Sequence, residues 1–379
     1  MAIESANSCF VLAAEMSGEE HLLSFLPELM QKNKQCHFYG VGGNRIQELG
    51  VELLFHLKDF SSWGLVEVIH KLPFYYKSLN FIQQEIERRN TKTAILVDFQ
   101  EANYYLAKKL TRLGVKVLYY VAPQAWGWRA YRAKGLASRT HKLYTILPFE
   151  KQWFSSRGVK QVVSVAHPLS KISIIPSAKN SQTTNILILP GSRNAECYFH
   201  LGIFLNCCKM LKDNMPRIRF TFSLVKGPSI REGIFQHYAN HPIYRHLTIY
   251  PSIDLNLALS KADFCLAASG TVSLQTSLYK IPTLVCYKAH LLTAFIFYEF
   301  IKYKSYITLT NLILQEEVLP EFLQDEVSEW NLFSHLKYWI NNPDIVNKIK
   351  DKLSQLLPLL KGDFPTPIES MDEVLKTHY

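Results

Sequence analysis

The chain has 379 residues, 48% of them hydrophobic and 20% charged. That is enough apolar material for two cores at roughly 100–200 residues per domain, which excludes a mainly disordered chain. Lys and Arg exceed Asp and Glu by 10 and aromatics reach 13%, so nucleic acid, an anionic membrane surface or a phosphorylated substrate is the expected partner.

The first residues, MAIESANSCFVLAAE, lack a basic start and a full apolar stretch, so export is not expected. Strands are predicted at 9–14, 36–41, 93–97, 116–121, 142–147 and 161–165, with helical stretches such as 19–31 and 102–113 between them. This β-α alternation implies a parallel sheet covered by helices. Ligands of such sheets bind beyond the carboxyl ends of strands. The first strand runs into Glu15, Ser17 and Gly18, where a helix opens. GVGG at 40–43 is not G-x-G-x-x-G, which disfavours a dinucleotide. The segment 64–77 is apolar with flanking cations, including Val66, Val68, Ile69 and Leu72; it reads either as a core helix or as an interfacial patch. Asp98 follows an apolar strand directly and reads either as a general base or as a helix cap. Asn103 lies five residues on. Trp126 and Trp128 precede the series Arg129, Arg132, Lys134, Arg139, either an anion-binding face or a solvated basic one.

The polar stretch 173–184 reads as a linker, with a hinge near 170–184. Alternation restarts with strands at 185–189, 217–224, 246–250, 263–267 and 283–286, and a helix is predicted over 344–360. At the end of ILILPGSR, the residues Gly191, Ser192 and Arg193 open a helix. Glycine, free helix N–H groups and a forked cation suit a phosphate or pyrophosphate, against the alternative of an ordinary capped turn. Ser269, Gly270 and Thr271 form a second such turn, and Gln275 stands one helical turn further on within reach of a sugar hydroxyl. Two turns of this kind in one domain favour a nucleotide.

No apolar run reaches the ~18 residues of a membrane span; the nearest, 291–297, is short and is followed by Glu299. The seven cysteines are odd in number and contain no C-x-x-C, so buried free thiols in a reducing compartment are expected rather than a disulfide framework. P-loop, zinc-protease and serine-hydrolase motifs are absent, and no D-x-D pair offers metal ligands. Neither cofactor nor metal is expected. Residues 1–170 carry 21 Lys and Arg against 14 Asp and Glu, and the remainder 21 against 18. The first domain is thus the one expected to meet an anionic surface.

Several blocks occur in a fixed order: the AxExSGxxH-like start from Ala13 to His21, FYGVGGNRIQELG at 38–50, GLVEV at 64–68 and the Asp98 strand. VAPQAWGWR at 121–129, LPFEKQWF at 147–154, AHPL at 166–169, LPGSR at 189–193, ASGTVSLQ at 268–275 and NLILQEEVLPE at 311–321 follow. In these blocks, spread along essentially the whole chain, the protein resembles the lipid-A-disaccharide synthase family. The resemblance implies the GT-B architecture: two Rossmann-like doubly wound α/β domains facing a central cleft. An acceptor-binding, membrane-facing domain is expected over 1–170, with the C-terminal helix of about 362–379 packed back on it, and a UDP-sugar domain over 183–361.

The reaction implied is inverting transfer from UDP-2,3-diacylglucosamine to 2,3-diacylglucosamine 1-phosphate, with a β-1,6 linkage and release of UDP. Catalytic roles fall on Asp98, Glu15 and Asn311. Nucleotide contacts fall on Gly191, Ser192, Arg193, Ser269, Gly270, Thr271 and Gln275. Ser17, Gly18, Asn103 and Trp126 line the acceptor side, and Val66, Val68, Ile69 and Leu72 meet the membrane. The expected setting is cytoplasmic, peripheral on the inner face of the cytoplasmic membrane of a Gram-negative-type bacterium, as monomer or homodimer, without nucleic acid. Three positions depart from the family pattern: Glu101 stands where Asp is usual, Ala166 where Gly is, and Gln275 where an acidic residue is. Two alternatives follow: another GT-B enzyme acting on a UDP-sugar (a lipid-linked transferase or an epimerase), or a non-catalytic nucleotide- and lipid-binding homologue.

Overall fold

The computed structural model describes residues 7–60, 65–176, 182–228, 230–268, 270–288 and 306–377; the side chains of 65–72 and 128 are also outside the described set. The chain divides into two compact units, Met1–Ser170 with Leu360–Tyr379, and Lys171–Leu359.

The first unit is built on seven strands: β1 (Ser8–Leu12), β2 (His37–Gly42), β3 (Glu52–His56), β4 (Thr93–Val97), β5 (Lys116–Tyr120), β6 (Lys142–Thr145) and β7 (Val162–Ser164). They lie in the order β3-β2-β1-β4-β5-β6-β7. Every pairing is parallel, from Phe10 opposite Tyr39 on one side of β1 to Phe10 opposite Ala94 on the other. The central strands SCFVL and TAILV are buried throughout, because helices cover both faces of a parallel sheet. Phe10, Leu12, Tyr39, Leu96, Leu106, Leu110 and Phe154 belong to one core.

The second unit carries β8 (Thr184–Leu189), β9 (Phe220–Lys226), β10 (Thr248–Pro251), β11 (Phe264–Ala268), β12 (Thr283–Tyr287) and β13 (Glu321–Leu323). Their order, β10-β9-β8-β11-β12-β13, repeats the winding of the first sheet, and all pairings are again parallel. Each sheet therefore reverses its strand order once, between β1 and β4 in the first unit and between β8 and β11 in the second. A doubly wound sheet opens a crevice at that reversal.

Two strands, β3 and β13, lie outside the predicted set. Both sit at sheet edges and are only half-buried, so neither shows a long apolar run. The single helix expected over 19–31 is two, Met16–Leu23 and Leu26–Lys32. Pro27 enters the second helix within its first turn, where its missing N–H costs nothing. Similarly, 344–360 resolves into Pro343–Leu353 and Leu356–Leu359, with Pro358 unable to continue the first helix.

The final helix, Ile368–Lys376, buries Ile368, Met371, Val374 and Leu375 and packs on Leu26–Lys32. Asn33 Nδ2 donates to Asp372 Oδ1 at 2.8 Å, and Lys142 Nζ donates to Ser370 Oγ at 3.0 Å. All seven cysteines are buried and free, and burial holds those in the strands, Cys9, Cys265 and Cys286, above the ordinary thiol range. Among the described residues no helix is long and apolar enough to cross a membrane. Val66, Val68, Ile69 and Leu72 fall in the first turns of helix Leu65–Arg88, where side chains lie outside the described set.

Candidate functional site

Glu15, Ser17 and Asp98, read from the sequence as separate strand ends, stand at the reversal of the first sheet. Glu15 is the extended residue that precedes helix Met16–Leu23. Two residues on, Ser17 Oγ donates to Asp98 Oδ2 at 3.0 Å. That bond ties the carboxyl end of β1 to that of β4. Gly18 is buried, with the Val97 carbonyl 3.4 Å from where a Cβ would stand, an ordinary contact distance. Asp98 and Phe99 both take positive φ, 49° and 45°, the left-handed region that bulky residues rarely enter.

Two histidines complete this corner. His21 lies one helical turn beyond Ser17; burial lowers its pKa, while the Asp98 charge opposes the shift. His167, of the AHPL block, is 4% exposed. Burial, with the neighbouring His21 second, lowers it to about 4. Burial therefore favours the neutral form of both rings, His21 beside Asp98 and His167 beside His21. Both lie in blocks that carry the family resemblance, AxExSGxxH and AHPL, but neither was assigned a site role from the sequence.

Two expected acceptor contacts take other roles. Asn103 is fully buried, and its Nδ2 donates to the Asp98 carbonyl at 2.6 Å and to the Val97 carbonyl at 3.2 Å. Its amide nitrogen thus braces the Asp98 turn. Trp126 is half-buried, and its indole N–H donates to Glu150 Oε1 at 3.0 Å. The other oxygen of Glu150 accepts from the backbone N–H groups of Ile146 and Leu147. Burial nevertheless raises Glu150 from 4.5 to about 7.

The basic series is corrected in the same way. Arg132 is 5% exposed and pairs with Glu101 through both terminal nitrogens, at 2.9 and 2.6 Å. Arg129 also pairs with Glu101. Arg139 stacks on Tyr104 with its guanidinium carbon 3.9 Å from the ring centre, and Lys142 pairs with Glu373. These four cations are engaged within the unit, whereas Lys134 of the same series is exposed. Glu101, a departure from the family pattern, is the acceptor for two of them.

In the second unit, Gly191, Ser192 and Arg193 follow β8 at the reversal of its sheet. Gly191 has φ 118°, and a Cβ there would meet Glu196 Cβ at 2.4 Å, so glycine is required. Glu196 Oε2 accepts from the Ser192 and Arg193 backbone N–H groups at 2.8 and 3.2 Å. The amides expected to cradle phosphate thus carry the chain's own carboxylate in this state. Arg193 pairs with Glu196 at 3.2 Å, yet its side chain is 76% exposed. An ion pair so open to water contributes about 0–1 kcal/mol, which a polyanion overcomes. Beyond β11, Gly270 and Thr271 are exposed and Gln275 is half-buried on helix Val272–Leu278; Ser269 lies outside the described residues.

A pocket unmarked by the sequence opens at the carboxyl ends of β9 and β10, lined by Lys226, Gly227, Pro228, Ile230, Glu232, Ile249 and Pro251. Its signal was diffuse, since glycine and proline after a strand also mark ordinary turns.

Asn311 is the clearest correction. It is fully buried. Its Nδ2 donates to the Leu319 carbonyl at 2.7 Å and to Glu321 Oε1 at 2.9 Å. Its Oδ1 accepts from the Val318 and Leu319 N–H groups at 3.0 and 2.9 Å. A carboxamide offers two donors and two lone pairs, and all are spent on the loop before β13. Asn311 positions that loop and has nothing left to offer a substrate. Among the described residues no group of three or more His, Cys, Asp or Glu is arranged to hold a metal ion.

The family model described as Lipid-A-disaccharide synthetase matches residues 9–362. The chain belongs to the lipid-A-disaccharide synthetase family. Lipid-A-disaccharide synthase 1 of Legionella pneumophila (strain Lens) is 30% identical over 362 residues, covering 93% of both chains. The lipid-A-disaccharide synthase of Nitrosococcus oceani is 31% identical over 334 residues, covering 86% of this chain and 84% of its own. The chain is accordingly a glycosyltransferase of lipid A biosynthesis.

Among solved structures, the glycotransferase of kitacinnamycin superposes with a TM-score of 0.61 at 12% identity, covering 98% of each chain. The putative UDP-N-acetylglucosamine 2-epimerase from Listeria monocytogenes reaches 0.58 at 11% identity, covering 92% of this chain and 91% of that one. Those likenesses establish the fold, the GT-B pairing of two parallel-sheet α/β domains.

Proposed function

We propose that the enzyme joins UDP-2,3-diacylglucosamine to 2,3-diacylglucosamine 1-phosphate through a β-1,6 linkage, by one inverting displacement. The observation that carries this reading is the Ser17–Asp98 bond at the reversal of the first sheet, which holds a carboxylate at a crevice of the fold. Asp98 takes the proton of the acceptor's 6-hydroxyl as that oxygen forms a bond to the donor's anomeric carbon. The bond from that carbon to the diphosphate breaks on the opposite face, and UDP carries away the negative charge. Glu15, two residues from Ser17, orients the acceptor.

The leaving diphosphate is met in the second unit by Arg193 and by the Ser192 and Arg193 amides, from which it displaces Glu196. Gly270, Thr271 and Gln275 lie at the neighbouring strand end and serve the nucleotide's sugar. The Lys226–Pro251 pocket, apolar on two sides, suits its planar base. Because both substrates carry acyl chains, the enzyme works as a peripheral protein on the inner face of the cytoplasmic membrane, with the 65–72 turns as the contact.

The test is acceptor-dependent release of UDP by the purified enzyme. Asp98→Asn is expected to lower turnover about 10²–10⁴-fold, the usual worth of a general base, with donor binding retained. Parent-like turnover of that variant, or UDP release that ignores the acceptor, overturns the reading.

A further inference from the structure

The carboxylate assigned to proton transfer sits on an unfavourable piece of backbone. Asp98 and Phe99 are consecutive residues of positive φ, and neither is glycine. Aspartate tolerates this region better than most residues but phenylalanine does not, so the surroundings must impose the turn. Three contacts do so from below. The Asp98 N–H donates to the Tyr120 carbonyl at 3.1 Å, continuing the β4–β5 ladder by one step. The Asn103 amide donates to the Asp98 carbonyl at 2.6 Å. The Tyr119 hydroxyl donates to that same carbonyl at 3.2 Å from within β5. The Phe99 ring closes the far side against Phe60 and Tyr75, with centroids 6.0 and 6.1 Å away.

Tyr119 stands out among these. It is fully buried, in a strand where phenylalanine would satisfy the core equally well. A buried hydroxyl is costly unless it has a partner, and here its partner is the backbone oxygen of the residue that carries the chemistry. Burial, and after it the Asp98 charge, holds its pKa well above the usual value, so it remains a donor at any working pH.

We propose that Tyr119 is a positioning residue of the transferase: its hydroxyl, beside the Asn103 amide, pins the Asp98 carbonyl and thereby keeps the left-handed turn in which the Asp98 carboxylate meets Ser17. This rests on the assignment of Asp98 to proton transfer. When the pin is lost, the turn relaxes toward ordinary φ values and the carboxylate leaves Ser17, while the substrate contacts stay in place. The loss is therefore one of turnover and not of binding.

Tyr119→Phe keeps the ring and removes one oxygen. In the acceptor-dependent UDP-release assay its kcat is expected to fall about 10–100-fold, within the range of a misplaced general base, with KM for both substrates within about twofold of the parent. In an Asp98→Asn background the same change is expected to cost nothing further, because Tyr119 acts only through that carboxylate. Phe99→Gly, which admits positive φ without strain, is expected to restore part of the kcat of Tyr119→Phe.

Parent-like kcat for Tyr119→Phe overturns the proposal while leaving the Asp98 assignment intact. So does an equal loss in the Asp98→Asn background, which is the mark of a merely structural hydroxyl. Parent-like turnover of Asp98→Asn itself overturns the assignment, and the proposal with it.

Discussion

Replacing Asn311 by alanine separates a catalytic from a structural amide. The substitution removes four hydrogen bonds at once, to Leu319 O, Glu321 Oε1, Val318 N and Leu319 N. Each neutral bond contributes about 1 kcal/mol net, and a bond to a charged group about 1.5–3. Glu321 Oε1 retains the Thr308 N–H and hydroxyl as donors, so its share of the loss lies at the low end. Water entering the space of the missing amide offsets part of the remainder. The expected destabilisation is about 3–5 kcal/mol. In a unit of this size each kcal/mol lowers Tm by about 2–4 °C, which gives a fall of roughly 6–20 °C in the transition of the second unit. Thermal unfolding followed by calorimetry reads this directly, and turnover per folded molecule at low temperature is expected to stay within about tenfold of the parent. The reasoning is refuted if Asn311→Ala melts within about 2 °C of the parent while turnover falls more than about 100-fold. That pattern belongs to an amide that faces the substrate.

Two further variants probe the charged groups. Glu150 is raised to about 7 by burial, above its unfolded value, so the native state binds the proton more tightly. Its contribution to stability is complete below the ordinary carboxylate range and is lost as pH rises through about 7. Glu150→Gln is expected to melt with a flatter pH dependence between about 5 and 8 than the parent, and an unchanged slope contradicts the account. Arg193→Ala removes an exposed cation whose ion pair contributes about 0–1 kcal/mol. Its Tm is expected to match the parent within a few degrees, while UDP binding measured by calorimetry weakens by about 1.5–3 kcal/mol, the loss of one charge-assisted contact. Undiminished UDP affinity removes Arg193 from the nucleotide site.

What the sequence made legible follows from burial. The central strands SCFVL, TAILV and FCLAA are covered on both faces, so they stand out as unbroken apolar runs. The polar or glycine-bearing turns behind them mark the sheet's crevices by position alone. Edge strands ELLFH and EFL are half-buried and dissolve into their flanks. Side-chain roles were less legible, because a side chain's partner is set by the fold. Asn311 turns inward since Val318, Leu319 and Glu321, seven, eight and ten residues on, offer it four partners. The Ser192 amides look open in the string LPGSRNAE until the helix brings Glu196 back over them. Tyr119 reads as an ordinary strand former, and only the pairing of β4 with β5 delivers its hydroxyl to a carbonyl 21 residues away.

The two units wind their strands in the same order, and each carries a charged group at the reversal of its own sheet. Beyond β1 and β4 the first exposes a carboxylate, with two histidines whose neutral form burial favours. A cationic His21 would pair with Asp98 and blunt the proton-acceptor role proposed for it. Beyond β8 the second exposes a guanidinium and two backbone N–H groups, held by a carboxylate of its own chain. Glu196 keeps those donors aligned in the absence of ligand, and its pair with Arg193 is exposed enough to yield cheaply. A diphosphate brings more charge and more acceptor oxygens than one carboxylate, which is why it is the anion we propose to displace Glu196. A displacement that liberates UDP needs one group to accept a proton and another to receive the departing charge. In the reaction proposed above, Asp98 is the first of these groups, and Arg193 with the Ser192 and Arg193 amides is the second.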